Sequence, residues 1–312
     1  ALLVGIGLVP LAQAEDGQQT FTSAKAAAKA LITAAAKNDT AAMQAIYGPA
    51  GKELVQSGDD PMVRAERKAF AAAAMEIARL RTLEDGSKEL IVGRNEWPLP
   101  ILIVKDGDAW RFDVEEGMEE ILLRRIGRNE LTAIRIASIY PEAQVAYADV
   151  DRDGDEVREY AQKILSSPGK QDGLYWETGG ENPQTMSPLG PAVISLTEYL
   201  NAEDKKAIPF HGYYWKVLKG QGEKAPGGAH SYVVNGNMIA GFALVGVPAA
   251  YKSTGVMTFL VSHHGEILEK DLGEKGLEMV AAMDTFDPDD SWALVENEGE
   301  IADPVADDEA GE

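Results

Sequence analysis

The spacing of apolar residues predicts helices at the start of the chain and strands after them. Apolar positions recur at helical spacing over residues 24–36 and 61–77, and Thr22 or Ser23 can cap the first of these helices. The period then changes to the alternation of strands, with a turn at Asp106-Gly107. We expect three strands here, at residues 89–93, 99–104 and 109–114.

The second half repeats this order. Apolar residues predict a helix over 115–126, an interruption at Gly127, and a new helix from Asn129 that must bend or restart at Pro141. A further helix is expected to begin near Glu156. The last third alternates like an antiparallel sheet and ends in a helix over 274–283. The candidate strands are 213–218, 231–234, 240–247, 256–262 and 267–271.

This element order predicts an α+β protein with two folded units. Helices followed by a curled antiparallel sheet are similar to the cystatin-like cone of the nuclear-transport-factor-two type, and we place this unit at 15–125. Such cones either hold a ligand pocket or serve as adaptor domains. A second α+β unit is expected at 126–295.

The two ends of the chain carry different signals. Residues 1–14 are uncharged and apolar and end in Ala-Gln-Ala, which is typical of a signal peptide remnant and its cleavage site. Residues 296–312 are strongly acidic and predict a disordered tail. We therefore expect a periplasmic or secreted protein. The absence of cysteine means that its fold must hold together without disulfides or thiolate metal sites.

Charge narrows the possible partners. The net charge of −22 disfavours nucleic acid and anionic membrane surfaces, because binding either requires clustered lysine and arginine. No apolar stretch after the first residues reaches the roughly 18 residues of a membrane span, so we expect no stable membrane insertion of the mature chain. Cations, basic partners and neutral ligands remain compatible with this charge.

Several phrases of the sequence resemble a known family. They are WPLPILIVKDGDAWRFD at 97–113, AQVAYADVDRDGD at 143–155, REYAQKILSSPGKQDGLYW at 158–176, HGYYWKVLKGQG at 211–222 and TFDPDDSW at 285–292. In this order they resemble the bacterial exported family called domain of unknown function 2950, over nearly the whole mature chain. The resemblance implies no activity, because the function of that family is unassigned.

A weaker resemblance concerns the second unit alone. NELTAI at 129–134, continued to AQVAYA and followed by a GYY strand, is similar to the heads of type IV pilins and type II secretion pseudopilins. In those proteins an apolar membrane half precedes the helix, whereas here the helix lies mid-chain. The resemblance therefore implies a fold, a helix across an antiparallel sheet, and not a pilus subunit.

An acidic segment is the best candidate for a metal site. Asp149, Asp151, Asp153 and Asp155 alternate around Gly154, and such carboxylates suit Ca²⁺, which takes about six to eight oxygen ligands. The helix–loop–helix calcium motif requires a closing glutamate, but that position holds Tyr160 or Gln162, so Glu156 or Glu159 would have to replace it. The other interpretation is a solvated turn whose aspartates cap a helix beginning near Glu156.

Aromatic residues form a second candidate set. Trp176, Tyr213, Trp215 and Tyr232 could bind a peptide, a glycan or a neighbouring protein if they are exposed, and they could equally form the core. Tyr213 and Trp215 are expected on one face of a strand.

Catalytic motifs are missing from the sequence. It contains no G-x-S-x-G, no H-E-x-x-H and no cysteine nucleophile. Its four histidines include the tandem pair His263-His264, expected at a turn with the side chains pointing apart.

The leading hypothesis is a non-catalytic envelope accessory or interaction protein, with calcium as its possible cofactor. The alternative is a periplasmic hydrolase or small-ligand binder. It would use a pocket between the units or in the cone-like unit, lined by Tyr47, Trp97, Trp110 and Phe112.

Overall fold

The computed structural model describes residues 17–56, 61–176, 187–189 and 209–296. The predicted signal remnant and nearly all of the acidic tail lie outside these residues. The chain divides into two compact units that meet in sequence between Arg124 and Arg125. Both helices and antiparallel sheets are present, so the predicted α+β class is confirmed.

The first two helices of the N-terminal unit begin at side-chain caps. Ser23 Oγ accepts the Ala26 N–H at 3.2 Å before the first helix, and Asp39 Oδ1 accepts the Ala42 N–H at 2.9 Å before the second. The helices are α1 (Ala24–Ala36), α2 (Thr40–Tyr47), α3 (Lys52–Gln56) and α4 (Pro61–Glu76), with a 3₁₀ turn η1 (Pro49–Gly51).

Five strands make the sheet of this unit: β1 (Ala78–Thr82), β2 (Lys88–Val92), β3 (Trp97–Pro98), β4 (Ile103–Asp106) and β5 (Ala109–Phe112). Their order is β1-β2-β4-β5, with β3 also paired to β2, and all pairings are antiparallel. Leu90, Ile103 and Phe112 are buried in one core with Leu31 and Ile46 of the helices. Two of the aromatic residues expected to line a cone pocket pack in or against this core instead. Phe112 is fully buried, and the ring of Tyr47 packs edge-on against it at 5.7 Å.

One long helix, α5 (Val114–Ala148), follows. The predicted interruption at Gly127 is wrong, and the helix also continues through Pro141 rather than restarting there. Glycine costs a helix only about 1 kcal/mol, which packing can offset. On the C-terminal unit's part of α5, Ala133, Ala137 and Tyr140 are buried in the core of that unit. No helix among the described residues is long and apolar enough to cross a membrane.

The C-terminal unit is built on a second antiparallel sheet of five strands. The strands are β6 (Tyr213–Leu218), β11 (Ala243–Pro248), β12 (Met257–Ser262), β13 (Ile267–Asp271) and β14 (Ala293–Leu294), in the order β14-β13-β12-β11-β6. Two short ribbons add β7 (Gly220–Gln221) with β8 (His230–Ser231), and β9 (Val233–Val234) with β10 (Asn237–Met238). The 3₁₀ turn η2 (Gly273–Lys275) and helix α6 (Gly276–Ala281) follow β13.

Helix α5 contacts this second sheet. Tyr140 donates its hydroxyl hydrogen to Ala243 O at 3.3 Å, and its ring packs edge-on against Phe242 at 5.6 Å. A helix against an antiparallel sheet is what the pilin-head resemblance implies, but the resemblance itself stays a prediction, as does the cone.

Residues 149–176 form neither helix nor extended sheet. The helix predicted to begin near Glu156 is therefore wrong. Glu156 has φ of +67°, two residues after Gly154 with φ of +80°, and this left-handed backbone cannot open an α-helix. The segment is attached to the unit at separate points, such as the Tyr160 N–H that donates to Met238 O at 2.8 Å.

Candidate functional site

The acidic loop begins where α5 ends, and its aspartates fold back on the backbone. Asp151 accepts the N–H groups of Gly154 at 2.8 Å and Glu156 at 3.0 Å, while Asp155 accepts that of Val157 at 2.8 Å. Glycine at 154 permits the positive φ that this turn requires. The result is a tight loop with several carboxylates on its surface.

Three of these carboxylates meet. One carboxylate oxygen from each of Asp151, Asp153 and Asp155 lies within 4.8 Å of the others. Among the described residues, no other group of three histidine, aspartate or glutamate side chains comes this close. Asp149 is exposed and stands outside the triad. We call Asp151, Asp153 and Asp155 the acidic triad.

Glu159, the residue expected to close the site, lies near the triad without joining it. Its Oε2 accepts the Met238 N–H at 3.1 Å. Burial raises the pKa of Glu159, and the negative charges of Asp153 and Asp155 raise it further. Glu159 therefore shares the electrostatic field of the triad. By contrast, the hydrogen bond from the Gly154 N–H lowers the pKa of Asp151, so this carboxylate is held ionised.

The one arginine of the loop turns away from the triad. Arg152 Nε donates to Tyr147 O at 3.2 Å, and the guanidinium lies over the rings of Tyr147 and Trp176 at 4.8 and 4.9 Å. Its guanidinium therefore packs against Tyr147 and Trp176 and not against the triad, and burial there lowers the pKa of Arg152. The carboxylates are left facing one another.

Sequence reasoning missed a residue that positions the triad. Asn237, the first residue of β10, donates from Nδ2 to Asp155 Oδ2 at 2.7 Å. Asn235-Gly236 marks the β9–β10 turn in the sequence, but nothing local indicates that it lies beside a loop so far back in the chain. The acidic loop is thus tied to the hairpin through Asn237 and Met238.

The aromatic candidates lie in the core and do not form an exposed binding face. Tyr213 and Tyr232 are 1% and 0% exposed, and both hydroxyls are satisfied internally, by Met257 O at 2.9 Å and Gln221 Oε1 at 3.0 Å. Trp176 is buried, and Trp215 is half-buried against the same core. Their area is used to stabilise the unit, as is usual for aromatic side chains. Of the two interpretations left open by the sequence, the burial of these residues supports the core.

Three of the four histidines gather at one end of the second sheet. The rings of His263 and His264 lie 4.2 Å apart, and the ring of Tyr232 lies 5.7 Å from His263 and 5.6 Å from His230. The tandem pair does not point apart as expected, because it lies in the turn after β12, where the alternation of a strand ends. Burial, followed by the charge of His264, lowers the pKa of His263. The ligand atoms of these rings do not meet as those of the acidic triad do.

Comparison with models of protein families shows the family to which the chain belongs. The family described as protein of unknown function DUF2950 matches residues 18–295. The chain belongs to this family. The match spans both units and includes the acidic triad. Comparisons with curated proteins and with solved structures returned no match.

Proposed function

We propose that this member of the DUF2950 family is a non-catalytic accessory or interaction protein of the bacterial envelope whose acidic loop is stabilised by bound Ca²⁺. The observation that carries the proposal is the acidic triad, whose carboxylate oxygens lie within 4.8 Å of one another. Ca²⁺ prefers carboxylate and carbonyl oxygens and accepts irregular geometry. Three carboxylates that can each donate one or two oxygens suit this ion.

Electrostatics supports a cation. Three negative charges in one loop repel one another, and Arg152 does not offset them because its guanidinium lies against Tyr147 and Trp176. Glu159 adds a fourth carboxylate nearby. A divalent ion in the triad would replace this repulsion with attraction and draw the loop together.

The place of the loop supports an interaction role. Its contacts through Asp155 and Glu159 fix the β9–β10 hairpin, on which Val234 and Ile239 are 42% and 46% exposed. Exposed apolar side chains beside an ordered loop suit a protein partner. Ca²⁺ would hold this surface in one shape.

The location in the envelope is supported by the sequence. The apolar segment 1–14 with its Ala-Gln-Ala end is typical of export, and a cysteine-free, strongly acidic chain suits the calcium-containing space outside the cytoplasm. The absence of recognisable catalytic motifs favours a non-catalytic role. A hydrolase or ligand-binding activity in the N-terminal unit stays an alternative prediction, and the packed rings of Tyr47 and Phe112 give it no support.

The test is calorimetric titration of Ca²⁺ into the chelator-treated chain, with thermal melting in parallel. We expect a dissociation constant on the order of 10 µM, typical of sensor-type loops. Ca²⁺ at 1 mM, a roughly hundredfold excess, then adds about 2.7 kcal/mol to the free energy of unfolding. The emission of Trp176, in contact with Arg152, should change over the same Ca²⁺ range.

Matched variants make the test specific. Asp151→Asn with Asp153→Asn should abolish both the heat and the rise in melting temperature. Asp149→Asn removes one negative charge just outside the triad and should leave binding within about twofold of the parent, since Asp149 is not one of the three carboxylates that meet. Equal losses in both variants, or no heat in the parent, would reject the calcium site.

A further inference from the structure

The β9–β10 hairpin turns at Asn235-Gly236, the only asparagine–glycine pair in the sequence. Val234 pairs with Asn237 across the turn, so the turn itself has two residues. Both of them adopt positive φ, +54° and +98°, which is the geometry that Asn-Gly favours in tight hairpins. Both are exposed, and the turn is therefore open to water.

The Asn235 amide and the Gly236 nitrogen are close neighbours in the covalent chain. Rotation about the Cα–C bond of Asn235 brings its Cγ to the Gly236 nitrogen, and a bond between these two atoms closes a five-membered ring. A side chain at residue 236 would hinder this approach, but glycine has none. A methyl group built at Gly236 would meet no atom within 4 Å, so the space beside the nitrogen is open.

The surroundings of the turn permit this rotation. Strands β9 and β10 have two residues each and form a separate two-stranded ribbon. Beyond the ribbon, the turn is held through the Gly236 carbonyl oxygen, which accepts a hydrogen bond from Gln162 Nε2 at 2.6 Å. The end of so short a ribbon opens locally at a small cost in free energy.

Other asparagines do not combine these features. Asn237 donates from Nδ2 to Asp155 Oδ2 at 2.7 Å and precedes a methionine. Asn129 donates from Nδ2 to Thr254 O at 2.8 Å and precedes a glutamate. Their amides are held by hydrogen bonds, and the next residue carries a side chain that hinders its nitrogen. They are therefore controls within the same chain.

We propose that Asn235-Gly236 is a site of spontaneous deamidation that loosens the hairpin from the acidic loop as the protein ages. The Gly236 nitrogen gives its proton to hydroxide and bonds to Asn235 Cγ. The Cγ–Nδ2 bond breaks, and the amide nitrogen takes a proton from water and leaves as ammonia. Water then opens the succinimide ring. Cleavage between the nitrogen and Cγ gives aspartate, and cleavage between the nitrogen and the main-chain carbonyl carbon gives isoaspartate.

Isoaspartate changes the hairpin because its Cβ becomes part of the main chain. The extra carbon displaces Gly236 and the two residues after it, whose hydrogen bonds to Asp155 and Glu159, at 2.7 and 3.1 Å, attach the acidic loop. Either product also adds a negative charge near these carboxylates. The reaction requires no Ca²⁺, so the inference goes beyond the proposed function and does not depend on it.

The test is incubation of the full chain in H₂¹⁸O at mildly alkaline pH with a chelator, followed by digestion in ordinary water and mass spectrometry of the peptides. We expect the peptide with residue 235 to lose the amide nitrogen and to gain one ¹⁸O, as a mixture of aspartate and isoaspartate. Asn129 and Asn237 should convert at least about tenfold more slowly, which corresponds to a barrier higher by about 1.4 kcal/mol.

Variants separate the reaction from its consequence. Asn235→Gly removes the reacting amide and keeps the turn, because glycine adopts positive φ freely, and it should show no conversion at this position. Asn235→Asp has the added charge without the longer main chain. Hydrogen exchange of the Met238 amide should be about tenfold faster in the isolated isoaspartate form than in the fresh parent, and close to the parent rate in Asn235→Asp.

Three results would overturn the proposal. The first is conversion at residue 235 no faster than at Asn129 and Asn237. The second is formation of aspartate alone, which would indicate direct hydrolysis of the amide without a succinimide. The third is unchanged exchange at Met238 in the isoaspartate form, which would show that the turn and the acidic loop are not coupled. The comparison of asparagines is made within one chain, so it does not depend on the folding of a variant.

Discussion

The side-chain amide of Gln144 forms hydrogen bonds with both the N–H and the C=O group of Ala161. Its Oε1 accepts the Ala161 N–H at 2.8 Å, and its Nε2 donates to Ala161 O at 3.0 Å. Nε2 also donates to the Tyr140 hydroxyl oxygen at 2.7 Å, and the whole of Gln144 is buried. A helix side chain thus supplies the hydrogen bonds that secondary structure would otherwise give to the irregular segment 149–176.

Gln144→Leu should lower the free energy of unfolding by about 3 kcal/mol. The change leaves the N–H and C=O groups of Ala161 buried without partners, at about 1–3 kcal/mol for each. Urea denaturation measures the effect. Glu142→Leu, an exposed polar-to-leucine change on the same helix, is the control and should stay within about 0.5 kcal/mol of the parent. Similar values for the two variants would contradict the role given to Gln144.

Arg152→Lys should destabilise the protein by about 1 kcal/mol although the charge is kept. Lysine cannot lie flat over the rings of Tyr147 and Trp176, which are 4.8 and 4.9 Å from the guanidinium. The emission spectrum of the native state should also change, because a guanidinium no longer lies over the ring of Trp176. Arg158→Lys alters an exposed arginine of the same segment and should change neither quantity. An unchanged spectrum in Arg152→Lys would refute the contact.

Asp172 should make stability depend on pH in the acid range. The hydrogen bond from Lys163 Nζ at 2.7 Å, followed by those from Ser167, lowers the pKa of Asp172 from 3.8 to about 2. Because the folded-state pKa lies below the unfolded one, this contribution is present above pH 3.8 and is lost as the pH falls through about 2.

The size of this contribution is modest, since the Asp172 side chain is 35% exposed and its ion pair is screened by solvent. We expect about 1 kcal/mol. Denaturant melts between pH 5 and pH 2 should show a shallower loss of stability for Asp172→Asn than for the parent. Asp108→Asn, at an exposed position, should follow the parent curve. Parallel curves for parent and Asp172→Asn would show that Asp172 contributes nothing.

Gly127→Ala should stabilise the protein by up to about 1 kcal/mol. Gly127 lies inside α5, and an added methyl group would meet no atom within 4 Å, so only the gain in helix propensity remains. Gly117→Ala on the same helix is the contrasting case, because its methyl group would lie 2.7 Å from Ile101 Cγ1. Thermal melting should rise for the first variant and fall for the second. A lower melting temperature for Gly127→Ala would contradict an uninterrupted helix.

Local signals in the sequence were sufficient where neighbouring residues determine the structure. Ser23 caps α1 as predicted, the Asp106-Gly107 turn joins β4 to β5, and the predicted strand 213–218 matches β6. In each case the capping oxygen, the turn glycine or the alternation lies within the element itself. The meeting of Asp151, Asp153 and Asp155 follows equally from their spacing around Gly154.

The wrong predictions concern segments whose conformation is determined by residues distant in the sequence. The segment after Glu156 has helical periodicity, but Gln144 and Met238 bind its backbone and Glu156 adopts a left-handed conformation. No pattern within the segment encodes these partners. The sequence did not predict strand β1 for a similar reason. Its residues continue the apolar spacing of α4, and it is their pairing with β2 that makes them a strand.

Strand β1 also has a consequence for behaviour at high concentration. It pairs with β2 on one side, and its other edge carries backbone groups that a second copy of the chain could pair with. In symmetric antiparallel pairing centred on Leu80, Arg79 of one copy would face Arg81 of the other. Like charges directly opposite each other destabilise such a ladder. Arg79 and Arg81 are also ion-paired with Glu96 and Glu89 of their own chain, so a second copy could pair along this edge only by disturbing these charged contacts.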